Sequence, residues 1–181
     1  MSATQPRWSR RELLARIAGG AALISLGRGA RAAEPERSLA FVHTHTGESA
    51  RVTYWAEGDY LPDGLRELAR LLRDHYSGET HAIDPRLLDD LHRLRAALDT
   101  HEAFHVISGY RSPVTNAALA ARGGGVATRS LHMLGQAIDV RVPGRELSAL
   151  RDAALALRAG GVGYYERSNF VHVDIGRVRR W

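Results

Sequence analysis

Two short segments gather side chains able to hold a metal: Ser130-Leu-His132-Met-Leu-Gly135-Gln-Ala137-Ile-Asp139 and Phe170-Val-His172-Val-Asp174. On an extended strand, side chains alternate between faces, so Phe170, His172 and Asp174 share one side and Val171, Val173 and Ile175 the other. Around Asp139 the same rule sets Ala137, Asp139 and Arg141 opposite Ile138, Val140 and Val142. Each strand therefore offers an aliphatic face to a core and a polar face to chemistry. Laid side by side, the two strands would bring Asp139 to His172. His132 sits just ahead of its strand, with the small Gly135 and Ala137 leaving room beside it. Two imidazoles and a carboxylate suit Zn²⁺, and three protein ligands leave a fourth position open, as in catalytic sites. A water there ionises near neutral pH and becomes a nucleophile. Spacing alone would equally suit three ordinary polar strand residues. The chain has no cysteine, which excludes disulfides, thiol nucleophiles and thiolate metal sites.

The elements that must position these residues follow from periodicity. Leu39–His45 and Ala50–Trp55 are β-rich runs around the turn Thr46-Gly47-Glu48, a hairpin pattern. A helix is expected near residues 63–76, with Leu65, Leu68, Ala69 and Leu72 on one face. A second opens at Asp84-Pro85, an N-cap followed by proline at the first helical position, and carries Leu87, Leu88, Leu91, Leu94 and Leu98. Phe104–Ser108 reads as a strand, Ser112-Pro113 as the start of a short helix, and Gln136–Val142 as a strand. A helix from Arg145 to Arg158 stops at Gly160-Gly161, and Phe170–Ile175 is the last strand. Without a regular βαβ rhythm, the class is α+β in one domain. The remaining histidines are less pointed. His43 and His45 alternate on one face and could chelate a metal as a pair, or His45 could serve structurally beside Thr46 and Glu48. His75, His81, His92 and His101 fall at helix ends or exposed faces, and His105 begins a core strand. Tyr164 and Tyr165 precede the last strand and could wall a cleft or simply pack.

At 181 residues there is room for one ordinary domain. The formal charge of +5 suggests nucleic acid until it is located. Residues 1–33 hold six of the 25 basic residues and one of the 20 acids, leaving nineteen of each in residues 34–181. A neutral body lacks a phosphate-tracking surface, so nucleic acid is not an expected partner. Arg10-Arg11, the apolar stretch Ile17–Leu26 and Ala30-Arg-Ala-Ala33 have the layout of a secretory signal of twin-arginine type. The stretch is shorter than the about 20 apolar residues needed to span a bilayer. Residues 1–33 are thus expected to be an export signal and 34–181 the working domain, periplasmic or otherwise secreted, with no membrane span after cleavage.

The motif Ser130-x-His132-x-x-Gly135-x-Ala137-x-Asp139 with His172-x-Asp174 resembles the zinc D-alanyl-D-alanine peptidase family of cell-wall enzymes. Ser108-Gly-Tyr-Arg111-Ser112 looks like an upstream motif of that family. The hairpin His45-Thr-Gly-Glu48 with Tyr54, and the closing run Phe170 to Trp181, are similar to the branch containing murein endopeptidase K. The resemblance covers about Leu39 to Trp181, with the motifs in order. It implies a small antiparallel sheet with helices packed on it, as in hedgehog-type and lysostaphin-type peptidases. It implies Zn²⁺ held by His132, Asp139 and His172, and peptidoglycan stem peptides as substrate, cut next to D-configured centres. It implies that Arg111 binds substrate near the scissile carbonyl, where a fixed guanidinium would meet growing negative charge. Arg111 could instead be a buried arginine paired with a strand-end carboxylate. Ser130 would contact substrate or orient its loop.

The better-known members carry an acid three residues before the last histidine ligand, or a histidine two before it. Here those positions are Asn169 and Phe170, neither of which serves as a base. Asp174 is the nearest carboxylate, as general base if it reaches the attacking water or as a partner that orients a ligand imidazole. Glu166 is a second candidate. The leading expectation is a secreted zinc endopeptidase, with a D-Ala-D-Ala carboxypeptidase and a non-catalytic zinc-binding cell-wall module as alternatives.

Overall fold

The β-rich runs of the sequence join in one eight-stranded sheet in a computed structural model, which describes residues 35–123 and 126–181. The elements in chain order are β1 (Arg37–His43), β2 (Ser49–Ala56), β3 (Asp59–Tyr60), α1 (Pro62–Leu71), α2 (Pro85–Ala97) and β4 (Phe104–Ser108). They continue with α3 (Pro113–Ala121), β5 (Ala137–Arg141), α4 (Leu147–Leu157), β6 (Gly161–Tyr165), β7 (Phe170–Asp174) and β8 (Arg179–Arg180). Across the sheet the order is β3-β2-β1-β4-β5-β7-β6-β8. Neighbours run antiparallel except β1 with β4 and β6 with β8, which are parallel. The fold is α+β. The export signal expected in residues 1–33 lies outside the described residues. No helix of the described residues is long and apolar enough to cross a membrane.

Alternation along the strands creates the core. Leu39, Phe41, Val106, Ile138, Val140 and Val171 are buried with Leu68 and Leu71 of α1, four leucines of α2, and Leu150 and Ala154 of α4. A leucine so buried contributes about 1.5–3 kcal/mol relative to exposure. Asp139 and His172, one residue away from these aliphatics, therefore point to the other face. The α2 stripe is held in register at its start, where the Asp84 carboxylate accepts from the Arg86 amide at 3.0 Å and Pro85 sits in the first turn.

The boundary expected near residue 76 falls earlier. Helix α1 ends at Leu71 because Asp74 accepts from the amides of Tyr76 and Ser77, at 2.9 and 3.4 Å, and bends the chain into a turn. The other oxygen of Asp74 accepts from the Ser112 amide at 2.9 Å, so the turn carries the Arg111 loop. Strand β6 has no counterpart in the expected elements. Gly160-Gly161 reads in the sequence as a helix stop, yet Gly161 and Gly163 are both needed for space. A Cβ at Gly161 would lie 2.5 Å from the Asp174 carboxylate, and one at Gly163 would lie 2.7 Å from the Trp181 ring.

Candidate metal centre and its cleft

Asp139 and His172 are direct register partners on β5 and β7, so adjacent antiparallel strands set the two side chains together. His132 arrives from a single 3-10 turn, Leu131–Leu134, just before β5. The Ser130 hydroxyl accepts from the His132 amide and starts that turn, and Gly135 ends it at φ +64°. This left-handed position faces the Ala82 carbonyl, which a Cβ would overlap, so glycine is required there.

The three side chains converge on one point. His172 Nδ1 lies 2.8 Å from Asp139 Oδ1 and 3.2 Å from His132 Nε2, and His132 Nε2 lies 3.3 Å from the same carboxylate oxygen. All three residues are buried. The far nitrogen of each ring fixes the tautomer. His132 Nδ1–H donates to the Gly109 carbonyl at 2.7 Å, and His172 Nε2–H donates to Asp174 at 3.0 Å. Each proton is used outward, so two imidazole lone pairs and a carboxylate oxygen face inward. Such a set repels itself unless a cation or proton lies among its members. Ligands about 2.0–2.1 Å from a tetrahedral zinc ion stand about 3.3 Å apart, close to these separations. The donor set therefore fits zinc. Burial works against a charged His172, but Asp139 and Asp174 outweigh it and raise the imidazole to about 9. Burial likewise acts to raise Asp139, and the two imidazoles overcome this and hold the carboxyl well below its usual range.

Asp174 is enclosed by donors. One oxygen accepts from the amides of Gly161 and Gly176, at 3.0 and 2.8 Å, and from Arg179 at 3.1 Å. The other accepts from His172 and from Arg179 at 2.7 Å. Burial alone would raise this carboxyl, but the His172 and Arg179 contacts and the two amides hold it well below the ordinary range. Glu166 is exposed and does not border the cleft.

A cleft of about 420 Å³ opens over the centre, bordered by Arg111, Ser130, His132, Asp139, His172 and Asp174. Of the two readings of Arg111, the pairing with a strand carboxylate is present, and the residue also lies where a substrate contact would need it. Its guanidinium borders the cleft and also stands 3.6 Å from Asp139 Oδ2, while donating to Ser108 Oγ at 3.2 Å and Asn116 Oδ1 at 3.4 Å. Its amide donates to the His132 carbonyl, which ties the Arg111 loop to the His132 turn. Tyr165, Phe170, Arg179 and Trp181 also line the border, whereas Tyr164 packs under Arg151. Arg179 and Trp181 were not among the expected site residues. Both lie in a closing run that looks like a basic tail, and a lone aromatic alternating with an arginine is the one signal that marks it as a strand.

The family model described as peptidoglycan L,D-endopeptidase MepK matches residues 31–181. The chain belongs to the MepK family. It is 44% identical over 176 residues to the peptidoglycan L,D-endopeptidase MepK of Escherichia coli (strain K12), covering 96% of this chain and 97% of that protein. The MepK of Shigella flexneri matches to the same extent. The probable peptidoglycan L,D-endopeptidase MepK of Haemophilus influenzae is 40% identical over 146 residues, covering 80% of this chain and 78% of its own length. The MepK match takes in every residue of the converging centre and of the cleft border.

Proposed function

We propose that this chain is an exported, zinc-dependent murein endopeptidase that hydrolyses peptide cross-links of peptidoglycan next to D-configured centres. The observation that carries the reading is the inward convergence of His132 Nε2, Asp139 Oδ1 and His172 Nδ1, with both outer ring protons spent on fixed acceptors. These three atoms would hold the ion. When bound, zinc supplies polarisation of the scissile carbonyl and lowers the pKa of a neighbouring water. Arg111, braced by Ser108, Asn116 and Asp139, would meet the carbonyl oxygen as charge grows on it. Ser130 holds the ligand turn and borders the cleft, a place suited to a substrate contact. Of the two roles open to Asp174, the five donors around its oxygens favour the orienting one. As a positioning residue it keeps the His172 proton outward and the Nδ1 lone pair inward.

One observation favours the non-catalytic alternative. Among the described residues, the cleft borders include no carboxylate besides Asp139 and Asp174, and both are engaged. Digestion of purified cross-linked muropeptides, read by mass spectrometry, decides between the two. The endopeptidase reading expects dimers to fall to monomers with one defined bond cut. Intact dimers bound to the protein would support the module instead. Release of terminal D-alanine alone would make it a carboxypeptidase.

The proposed location requires export, and Arg10-Arg11 supports a twin-arginine route. Changing both to lysine should leave precursor in the cytoplasm. Unchanged export would keep the location and overturn the route.

A further inference from the structure

One wall of the cleft is aromatic. Tyr165 of β6 and Phe170 of β7 are register partners, with rings stacked at a centroid distance of 4.6 Å. Trp181 joins them through backbone pairing. Its amide donates to the Val162 carbonyl at 3.2 Å, and its carbonyl accepts from the Tyr164 amide at 3.0 Å. The indole lies in the space left by Gly163, 5.3 Å from the His172 ring, with the Arg179 guanidinium stacked on it at 4.8 Å.

The indole is thus held in place, and its Nε1–H donates to the Tyr165 hydroxyl at 2.8 Å. An indole nitrogen can only donate, so the phenol oxygen is the acceptor. That contact occupies one side of the oxygen and turns the phenolic proton elsewhere. Among the described residues no acceptor takes it, and Tyr165 borders the cleft. An oxygen oriented by the indole, with an unspent proton on the wall of the cleft, is suited to a peptide carbonyl.

We infer that Tyr165 is a substrate-contacting residue that donates a hydrogen bond to a backbone carbonyl of the stem peptide, with Trp181 as its positioning residue. This rests on the endopeptidase reading for the identity of the ligand. It adds the donor that fixes the peptide against the aromatic wall, distinct from Arg111 at the scissile carbonyl. Tyr165→Phe removes one hydroxyl and keeps the ring stack. Trp181→Phe keeps an aromatic ring over Gly163 and removes the N–H.

The test uses the full chain after chelation, with purified cross-linked stem peptides titrated by calorimetry, so that binding is read without turnover. Tyr165→Phe should weaken binding about tenfold, the size of one neutral hydrogen bond. Trp181→Phe should weaken it about threefold, and the double variant should be no weaker than Tyr165→Phe alone, because Trp181 acts through the lost hydroxyl. In the zinc-loaded protein the same losses should fall on KM rather than kcat, with zinc content and melting temperature unchanged. Wild-type affinity in Tyr165→Phe overturns the contact. Losses that multiply in the double variant overturn the positioning by Trp181. Wild-type binding without hydrolysis removes the endopeptidase reading and leaves the contact standing, and no binding by the wild type removes both.

Discussion

Among the described residues two histidine clusters stand out, and one of them has a donor set that fits a metal. In the first, His132 and His172 face a carboxylate, and each spends its outer proton on a fixed acceptor. The second gathers three imidazoles, His43, His45 and His75, at the end of β1 and the turn after α1. His45 and His75 stack in parallel at 4.2 Å, an arrangement that points their nitrogens alongside one another rather than at a shared centre. His43 Nδ1 accepts from the His45 amide, so its proton sits on Nε2, where no partner is found among the described residues. Burial, then the neighbouring His75 and His45, pushes His43 down to about 4, while the carboxylates of the first cluster hold His172 near 9. The lesson concerns what makes a site. Three rings without an inward carboxylate and outward acceptors form a packed cluster. Two rings with both form a cluster whose donors fit a cation.

The largest expected effect breaks the symmetry outright. Replacing His132, Asp139 or His172 by alanine should take zinc from about one ion per chain to none, whereas alanine at His43, His45 or His75 should leave it bound. Metal analysis of purified variants reads this directly, and zinc lost on changing His75 would collapse the distinction. Next in size is Arg111→Ala, expected to lower kcat/KM by roughly 10²–10³-fold with zinc retained, the range for losing a donor to a developing oxyanion.

Asp174→Asn sharpens the account of the first cluster. A positioning role predicts zinc affinity about 10–100-fold weaker, with turnover recovering at high zinc. A general-base role predicts normal zinc affinity and a turnover loss of roughly 10²–10⁴-fold that no added zinc repairs. Competition with a metal indicator and turnover at saturating zinc separate the two.

The smallest effect probes the second cluster. A histidine lowered to about 4 in the folded chain binds fewer protons than its unfolded counterpart near 6.5. Stability is therefore complete above pH 6.5 and is lost as pH falls toward 4, by up to about 3 kcal/mol. His43→Asn should flatten the fall in melting temperature between pH 7 and pH 4.5. An equally steep fall in that variant would assign the acid sensitivity to other groups.

Much of the candidate metal centre is legible in the sequence, because alternation is a local property. The valines and isoleucines beside Asp139 and His172 declare which way those side chains turn, and the Ser130 to Asp139 pattern declares their company. Helix α2 is equally plain, since Asp84-Pro85 states its own start. The support of the site is not legible in the same way. Strand β6 sets two glycines and two tyrosines around a single core valine, Val162, a pattern with weak strand propensity, and its glycines make sense only once Asp174 and Trp181 fill the vacant space. The five donors around Asp174 come from residues 161, 172, 176 and 179, so the role of that carboxylate depends on a pairing between β6 and β8 that no periodicity announces. The turn at Asp74 is similar. Its carboxylate shortens α1 locally and also holds Ser112, thirty-eight residues away.

On the proposed reading, the converging cluster is the metal centre of a peptidoglycan hydrolase. The most direct measurement follows the cleavage of purified cross-linked muropeptide dimers by the full chain through one cycle of chelation and zinc return. Hydrolysis should stop when the ion is removed and resume when about one equivalent of zinc is restored, with Asp139→Ala inactive throughout. Cleavage that continues at full rate in the chelated protein, or in the Asp139→Ala variant, would contradict it.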